Sequence, residues 1–285
     1  MDERPHAAGT STLQIESSDE LWLSYDFFTG AATTGRLHQT GETTTLGALQ
    51  LDREWARIVP TSGGNVVFAN NRWLVATGRF GSDGSFVDLV TYPHSFEYQQ
   101  LVAVREELLF AYVTGTTVVG PMSRAVVTRV HHDGRFEVVS EPYLLDKWTH
   151  IVAARDGVVL FYNSRSGAAA TGVVTPDGGF RDLGTSFHLD KGWDDIVAAD
   201  DGRVMFYDRE GGNTATGRVD DQGGYGDLYS FNFLPGKRLV GTTAGRIVII
   251  DGRQAMVFGI DSQGIPSEGR YVVGLPTDHR VVFVR

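Results

Sequence analysis

The sequence predicts an all-β protein, a β-propeller built from four-stranded antiparallel blades. Three observations carry that expectation. The stretch "WTHIVAARDGVVLFYNSRSGAAATGVVTPDGGF" from Trp148 is nearly rewritten as "WDDIVAADDGRVMFYDREGGNTATGRVDDQGGY" from Trp193, 45 residues on. Each copy breaks into short runs rich in Val, Ile, Phe, Tyr and Thr, bounded by Gly, Asp or Asn, which is strand chemistry. Asp-Gly pairs recur at fixed places, and such pairs mark tight hairpins. A four-strand unit with a period near 45 residues is a propeller blade.

Within a unit the order is constant. An aromatic residue comes first, then an "IVAA" run, a turn, a "VLFY" run, a Gly-rich loop, an "ATG" run, a second turn and a "GF…DL" run. Asp156-Gly157 and Asp201-Gly202 join the first two strands of their units; Asp83-Gly84, Asp133-Gly134 and Asp177-Gly178 join the last two. The "IVAA" run is the inner strand, because small residues suit the crowded axis.

The same unit recurs with decay along the whole chain. Repeats start near residues 12, 55, 98, 148, 193, 237 and 270. Tyr98 stands where the unit has Trp, and Gly236 takes that place in the sixth. "YVVGLPTDHRVVFVR" from Tyr271 matches the first hairpin of a unit and then stops. Six units and a seventh first hairpin predict seven blades, the last incomplete; the alternative is six blades with the C-terminal hairpin packed on the first. Residues 1–11 form a tail and 12–285 one propeller domain, since a blade buries its faces only against other blades.

Composition narrows function. The net charge of −10 argues against nucleic acid or an anionic membrane as partner. The absence of cysteine excludes disulfides, thiolate metal sites and cysteine nucleophiles. No signal sequence or membrane-length apolar run is visible, so a soluble cytoplasmic protein is expected. No nucleotide-binding, zinc-protease or serine-hydrolase motif is present. His131 and His132 are adjacent and would point to opposite faces of a strand. No metal site and no cofactor are expected.

The unit "W-x-x-I-V-A…D-G…L-F-Y…G…T-G…D-G-G-F" resembles the repeats of tachylectin-2-type propellers, over about Leu13 to Arg285. The resemblance implies a propeller and, by analogy, a lectin with one pocket per blade for N-acetylated sugars. The unit is similar in style also to the propeller half of the cylindrocyclophane-forming alkylating cyclase, which implies a small-molecule enzyme. This chain has no counterpart of that enzyme's calcium-binding domain.

Two sets of residues are candidates for chemistry. The recurring aromatics Trp55, Tyr98, Trp148 and Trp193, with Gln100, would line sugar pockets, since an aromatic face stacks on a sugar ring. Against that stands packing, because an aromatic fixed at one strand boundary in each blade also plugs the gap between blades. Two residues after the aromatic position come Arg57, Gln100, His150, Asp195, Arg238 and Tyr271. These unlike polar groups at the start of the inner strands would form a mixed ring at one channel mouth. There His150, Asp195, Arg57, Arg238 and Tyr271 would be the catalytic set of an enzyme, with a hydrogen bond between His150 and Asp195. Solvated loop-edge residues are the bland alternative. Blade 3 carries an insertion, Thr114 to Arg124, that could lean over this face. The leading expectation is a propeller that binds a glycan or another small polar ligand. A single-site cyclase or other tailoring enzyme is the alternative, and a protein-interaction scaffold the third.

Overall fold

A computed structural model of the chain describes residues 19–70, 74–93, 97–117, 120–144, 148–252, 254–276 and 280–284. The expected tail over residues 1–11 lies outside them, as does the start of the first repeat. No helix among the described residues is long and apolar enough to cross a membrane.

Blade 1 holds β1 (Glu20–Tyr25), β2 (Ala31–Leu37) and β3 (Thr43–Gln50); blade 2 holds β4 (Trp55–Pro60), β5 (Asn65–Asn70), β6 (Leu74–Phe80) and β7 (Phe86–Pro93). Blade 3 holds β8 (Glu97–Ala103), β9 (Leu108–Thr117), β10 (Gly120–Val130) and β11 (Phe136–Ser140). Blade 4 holds β12 (His150–Arg155), β13 (Val158–Tyr162), β14 (Ala168–Val174) and β15 (Phe180–His188). Blade 5 holds β16 (Asp195–Ala198), β17 (Arg203–Tyr207), β18 (Asn213–Val219) and β19 (Tyr225–Asn232). Blade 6 holds β20 (Arg238–Gly241), β21 (Ile247–Asp251), β22 (Gln254–Phe258) and β23 (Arg270–Val272), and the last strand is β24 (Arg280–Val284). The blades are antiparallel meanders, and β24 pairs with β1, so the order in blade 1 is β24-β1-β2-β3.

The ring therefore has six blades, not seven. The C-terminal segment is not a hairpin. Its first half, around Tyr271, pairs with Met256 as the outer strand of blade 6. Its second half crosses over and pairs Leu21 to Tyr25 of blade 1 with Val284 to Arg280. This donated strand fills the inner position that the sequence assigned to the chain near residue 12. Ring closure by one strand from each end of the chain covers the inner edge of β1.

The first strands of neighbouring blades adjoin one another all the way round, so the "IVAA" run is the inner strand as read. The buried apolar residues divide into six clusters, one at each boundary between adjacent blades. At the boundary between blades 3 and 4, Phe110, Phe161 and Phe180 meet edge to face or tilted, with centroids 5.4 to 6.0 Å apart. Burying each such ring stabilises by about 2 kcal/mol.

The recurring Thr-Gly pair has two separate jobs. The hydroxyls of Thr34, Thr77, Thr171 and Thr216 donate to the turn carbonyls of Gly84, Gly134, Gly223 and Gly264 in the next blade, at 2.8 to 3.0 Å. Blade 3 has Val127 in place of the Thr, and there Ser140 Oγ donates to Gly178 of blade 4 at 2.7 Å. The glycine makes room for an aromatic ring. A Cβ on Gly78 would lie 2.1 Å from Phe86, on Gly217 2.2 Å from Tyr225, and on Gly35 2.1 Å from Trp22.

Candidate functional site at the channel mouth

Each inner strand begins on the same face of the ring, because blades 2 to 6 start at the axis and run outward with four strands, and β24 takes the inner place in blade 1. The mixed polar position falls at or near the start of these strands. Five of the six expected residues meet there: Arg57 on β4, Gln100 on β8, His150 on β12, Asp195 on β16 and Arg238 on β20. All five are half-buried. Tyr271 is not among them. It sits on the outer strand β23 and is 67% exposed. The sixth place belongs to Arg280, the first residue of β24. A signal for it was present in the sequence: Arg57-Ile58-Val59, Arg238-Leu239-Val240 and Arg280-Val281-Val282 are three copies of one tripeptide pattern.

The ring residues reach sideways to the next blade. Arg57 Nη2 donates to the carbonyl of Gln99 at 2.7 Å, and Gln100 Nε2 to that of Thr149 at 2.8 Å. His150 Nε2 donates to the carbonyl of Asp194 at 3.0 Å. Asp195 Oδ2 accepts the backbone N–H of Leu239 at 3.0 Å. Arg280 on blade 1 donates to the carbonyl of Ala56 on blade 2. Side chains of unlike chemistry thus perform one shared task, tying inner strands across five of the six blade boundaries.

The expected hydrogen bond between His150 and Asp195 is absent. His150 meets the backbone one residue earlier, at Asp194. Its other nitrogen, Nδ1, lies 2.9 Å from Thr149 Oγ1. Because a carbonyl only accepts, Nε2 carries a hydrogen. The Asp195 carboxylate is engaged by Arg209, whose Nε donates at 3.1 Å, as well as by Leu239. Those bonds with Asp195 raise the Arg209 pKa. Asp195 is therefore tied into the ring.

Three guanidinium groups occupy consecutive blades: Arg238 on blade 6, Arg280 on blade 1 and Arg57 on blade 2. Burial first, then the Arg57 and Arg238 charges, push the Arg280 pKa below its ordinary value. Burial also lowers that of Arg238, with Asp195 opposing and Arg209 adding to the shift. All three remain cations at neutral pH. One side of the mouth is thus cationic on a chain of net charge −10.

The aromatic set lies elsewhere. Trp55, Tyr98 and Trp193 are 4 to 8% exposed, and Trp148 is half-buried. Trp55, Trp148 and Trp193 pack on Phe68, Phe161 and Phe206 with centroids 5.6 to 5.8 Å apart. Burial pushes the Tyr98 pKa up. Little of these rings is left for a sugar to cover. In blade 3, β9 and β10 run as a long hairpin to the pair Thr117 and Gly120, so the inserted residues extend the ribbon; Val118 and Val119 lie outside the described residues. His131 pairs with Glu137, and His132 with Arg79. Among the described residues no group of three or more His, Asp or Glu side chains is placed to hold a metal ion.

Comparison with known proteins agrees on the fold. No known protein family matches the sequence, and no curated protein does. Solved structures do. The chain is similar to a putative 6-phosphogluconolactonase from Bacteroides fragilis, with 14% identity and a TM-score of 0.62 over 90% of this chain and 82% of that one. It is similar to the periplasmic gluconolactonase of Pseudomonas aeruginosa, with 13% identity and a TM-score of 0.61 over 90% and 84%. A putative 6-phosphogluconolactonase from Bacteroides uniformis matches with 13% identity and a TM-score of 0.61 over 94% and 100%. At such identities the likeness is one of fold alone.

Proposed function

We propose that this propeller binds one small organic anion, a carboxylate or a phosphate ester, at the mouth of its central channel. The observation that carries the reading is the cluster of Arg57, Arg238 and Arg280 on three consecutive blades. Half-buried like charges raise one another's free energy, and an anion seated among them removes that cost. Arginine is suited to this, because its planar fork of N–H groups matches carboxylate and phosphate oxygens. The variety of the ring favours a single asymmetric site over one pocket per blade. Calorimetric titration with sugar acids, sugar phosphates and neutral N-acetylated sugars tests it. One site per chain for the anions, weakened at least tenfold in Arg280→Gln, is the expected result. Several equivalent sites for a neutral sugar would overturn it in favour of a multivalent lectin.

A second reading makes the same mouth an enzyme site. The names of the similar structures point to lactones of sugar acids, whose hydrolysis releases a carboxylate of the kind the arginines would hold. His150, on the same ring, is its candidate proton carrier. Hydrolysis of gluconolactone or its 6-phosphate, lost in His150→Gln with the fold intact, would support it. Wild-type rates in that variant would remove His150 from the mechanism.

A further inference from the structure

The mouth opens onto a cavity of about 480 Å³ that lies on the axis, since inner strands of five of the six blades line it. Its walls are mainly apolar: Val197 on β16, Val240 on β20 and Val282 on β24 are half-buried there, and Ile58 on β4, Leu101 on β8 and Leu239 on β20 are almost wholly buried at its edge. Arg280 belongs to the same lining, so the cation stands at the cavity's upper end. Thr242 and Thr243 lie at the other end. The volume is in the range of small-molecule sites, about 300 to 1,000 Å³.

A site for a purely polar anion has no use for such walls. A sugar acid placed below the arginines would leave its hydroxyl groups facing valine and leucine, with their hydrogen bonds to water lost. We infer that the ligand is amphipathic: an anionic head held by Arg57, Arg238 and Arg280, and an apolar chain or ring extending down the channel between Val197, Val240 and Val282. The inference rests on the anion-binding reading of the mouth and adds the chemistry of the ligand's other end. Each buried CH2 should tighten binding about fourfold.

The test is calorimetric titration of the full chain with butyrate, octanoate and 1-octanol, each below its aggregation limit. Octanoate should bind one site, on the order of a hundredfold more tightly than butyrate, and 1-octanol should bind far more weakly than octanoate. Val240→Phe narrows the channel from β20, and Val197→Phe does so from the neighbouring β16. Each should abolish the gain of octanoate over butyrate, and a wild-type circular dichroism spectrum of each variant shows that the ring is folded. Butyrate and octanoate binding equally, both weakened by Arg280→Gln, would overturn the amphipathic ligand and leave the anion site standing. Octanol binding as tightly as octanoate would overturn the pairing of charge with chain. No binding of any carboxylate, or of inorganic phosphate, would overturn the anion site itself.

Discussion

The Asp195 carboxylate on blade 5 accepts the backbone N–H of Leu239 on blade 6 at 3.0 Å. Around the mouth the same relationship recurs with other partners: Arg57 to Gln99, Gln100 to Thr149, His150 to Asp194 and Arg280 to Ala56. A propeller's inner strands are joined to their neighbours by no ladder of their own, so this belt of side chains fixes their spacing.

Asp195→Ala should destabilise the protein by about 2 kcal/mol, because it leaves the Leu239 N–H and the Arg209 charge without their acceptor. Asp195→Asn keeps an acceptor oxygen for Leu239 and should cost less than half as much. Urea denaturation measures both. Equal effects of the two substitutions would show that the charge, and not the clasp to Leu239, is what matters.

Thr77→Val should cost about 1 kcal/mol, since it removes the donor to the Gly134 carbonyl while keeping the side chain's shape. Ser140→Ala should cost a similar amount through Gly178, although Ser140 occupies a different strand. Thr171→Val combined with Thr77→Val should be additive, because the two latches share no partner. Guanidinium denaturation of the single and double variants gives the comparison.

Gly78→Ala should be among the most damaging single changes, at about 3 kcal/mol, as its Cβ would lie 2.1 Å from the Phe86 ring. Phe86→Leu alone should also destabilise. The double variant should be more stable than the sum of the two predicts, because the smaller side chain vacates the space that the added methyl group needs. Strict additivity would mean that the backbone, and not the ring, resists the methyl group.

Glu20 is 3% exposed and takes the Arg246 guanidinium, with Nε donating at 3.0 Å, together with the Thr243 hydroxyl at 3.0 Å and the Ala244 N–H at 2.7 Å. This joins β1 to the first hairpin of blade 6. Glu20→Ala leaves a largely buried cation unpaired and should cost about 3 to 5 kcal/mol. Glu20→Ala with Arg246→Met should recover part of that loss. Hydrogen exchange should show the greatest loss of protection in β1 and β24, where the two ends of the chain meet.

Most of the fold was legible in the sequence because a blade is a local object. Its strands follow one another through short turns, so "IVAA", "VLFY", "ATG" and the Asp-Gly pairs specify it within 45 residues. The Thr-Gly pair could be recognised as structural, but its two jobs could not be told apart, since both partners lie elsewhere: Gly134 in another blade for Thr77, and Phe86 on another strand for Gly78. Blade 4 and blade 5 were clearest because their copies are nearly identical. The channel mouth was half legible. Five of its residues follow from the repeat frame, while Tyr271 competes with Arg280 for the sixth place because "YVV" and "RVV" both fit the pattern of an inner strand.

The sequence by itself determined the blade, the all-β class and the strand register that gathers Arg57, Gln100, His150, Asp195 and Arg238 at one mouth. Tertiary structure alone decided how the circle closes. A strand's partner at the far end of the chain leaves no local mark, so β24 could join blade 1, and bring Arg280 beside Arg57 and Arg238, only once the ring had formed. The bond from His150 to Asp194 was decided in the same way, because a side chain's reach depends on how far apart packed blades stand and not on the order of residues within one.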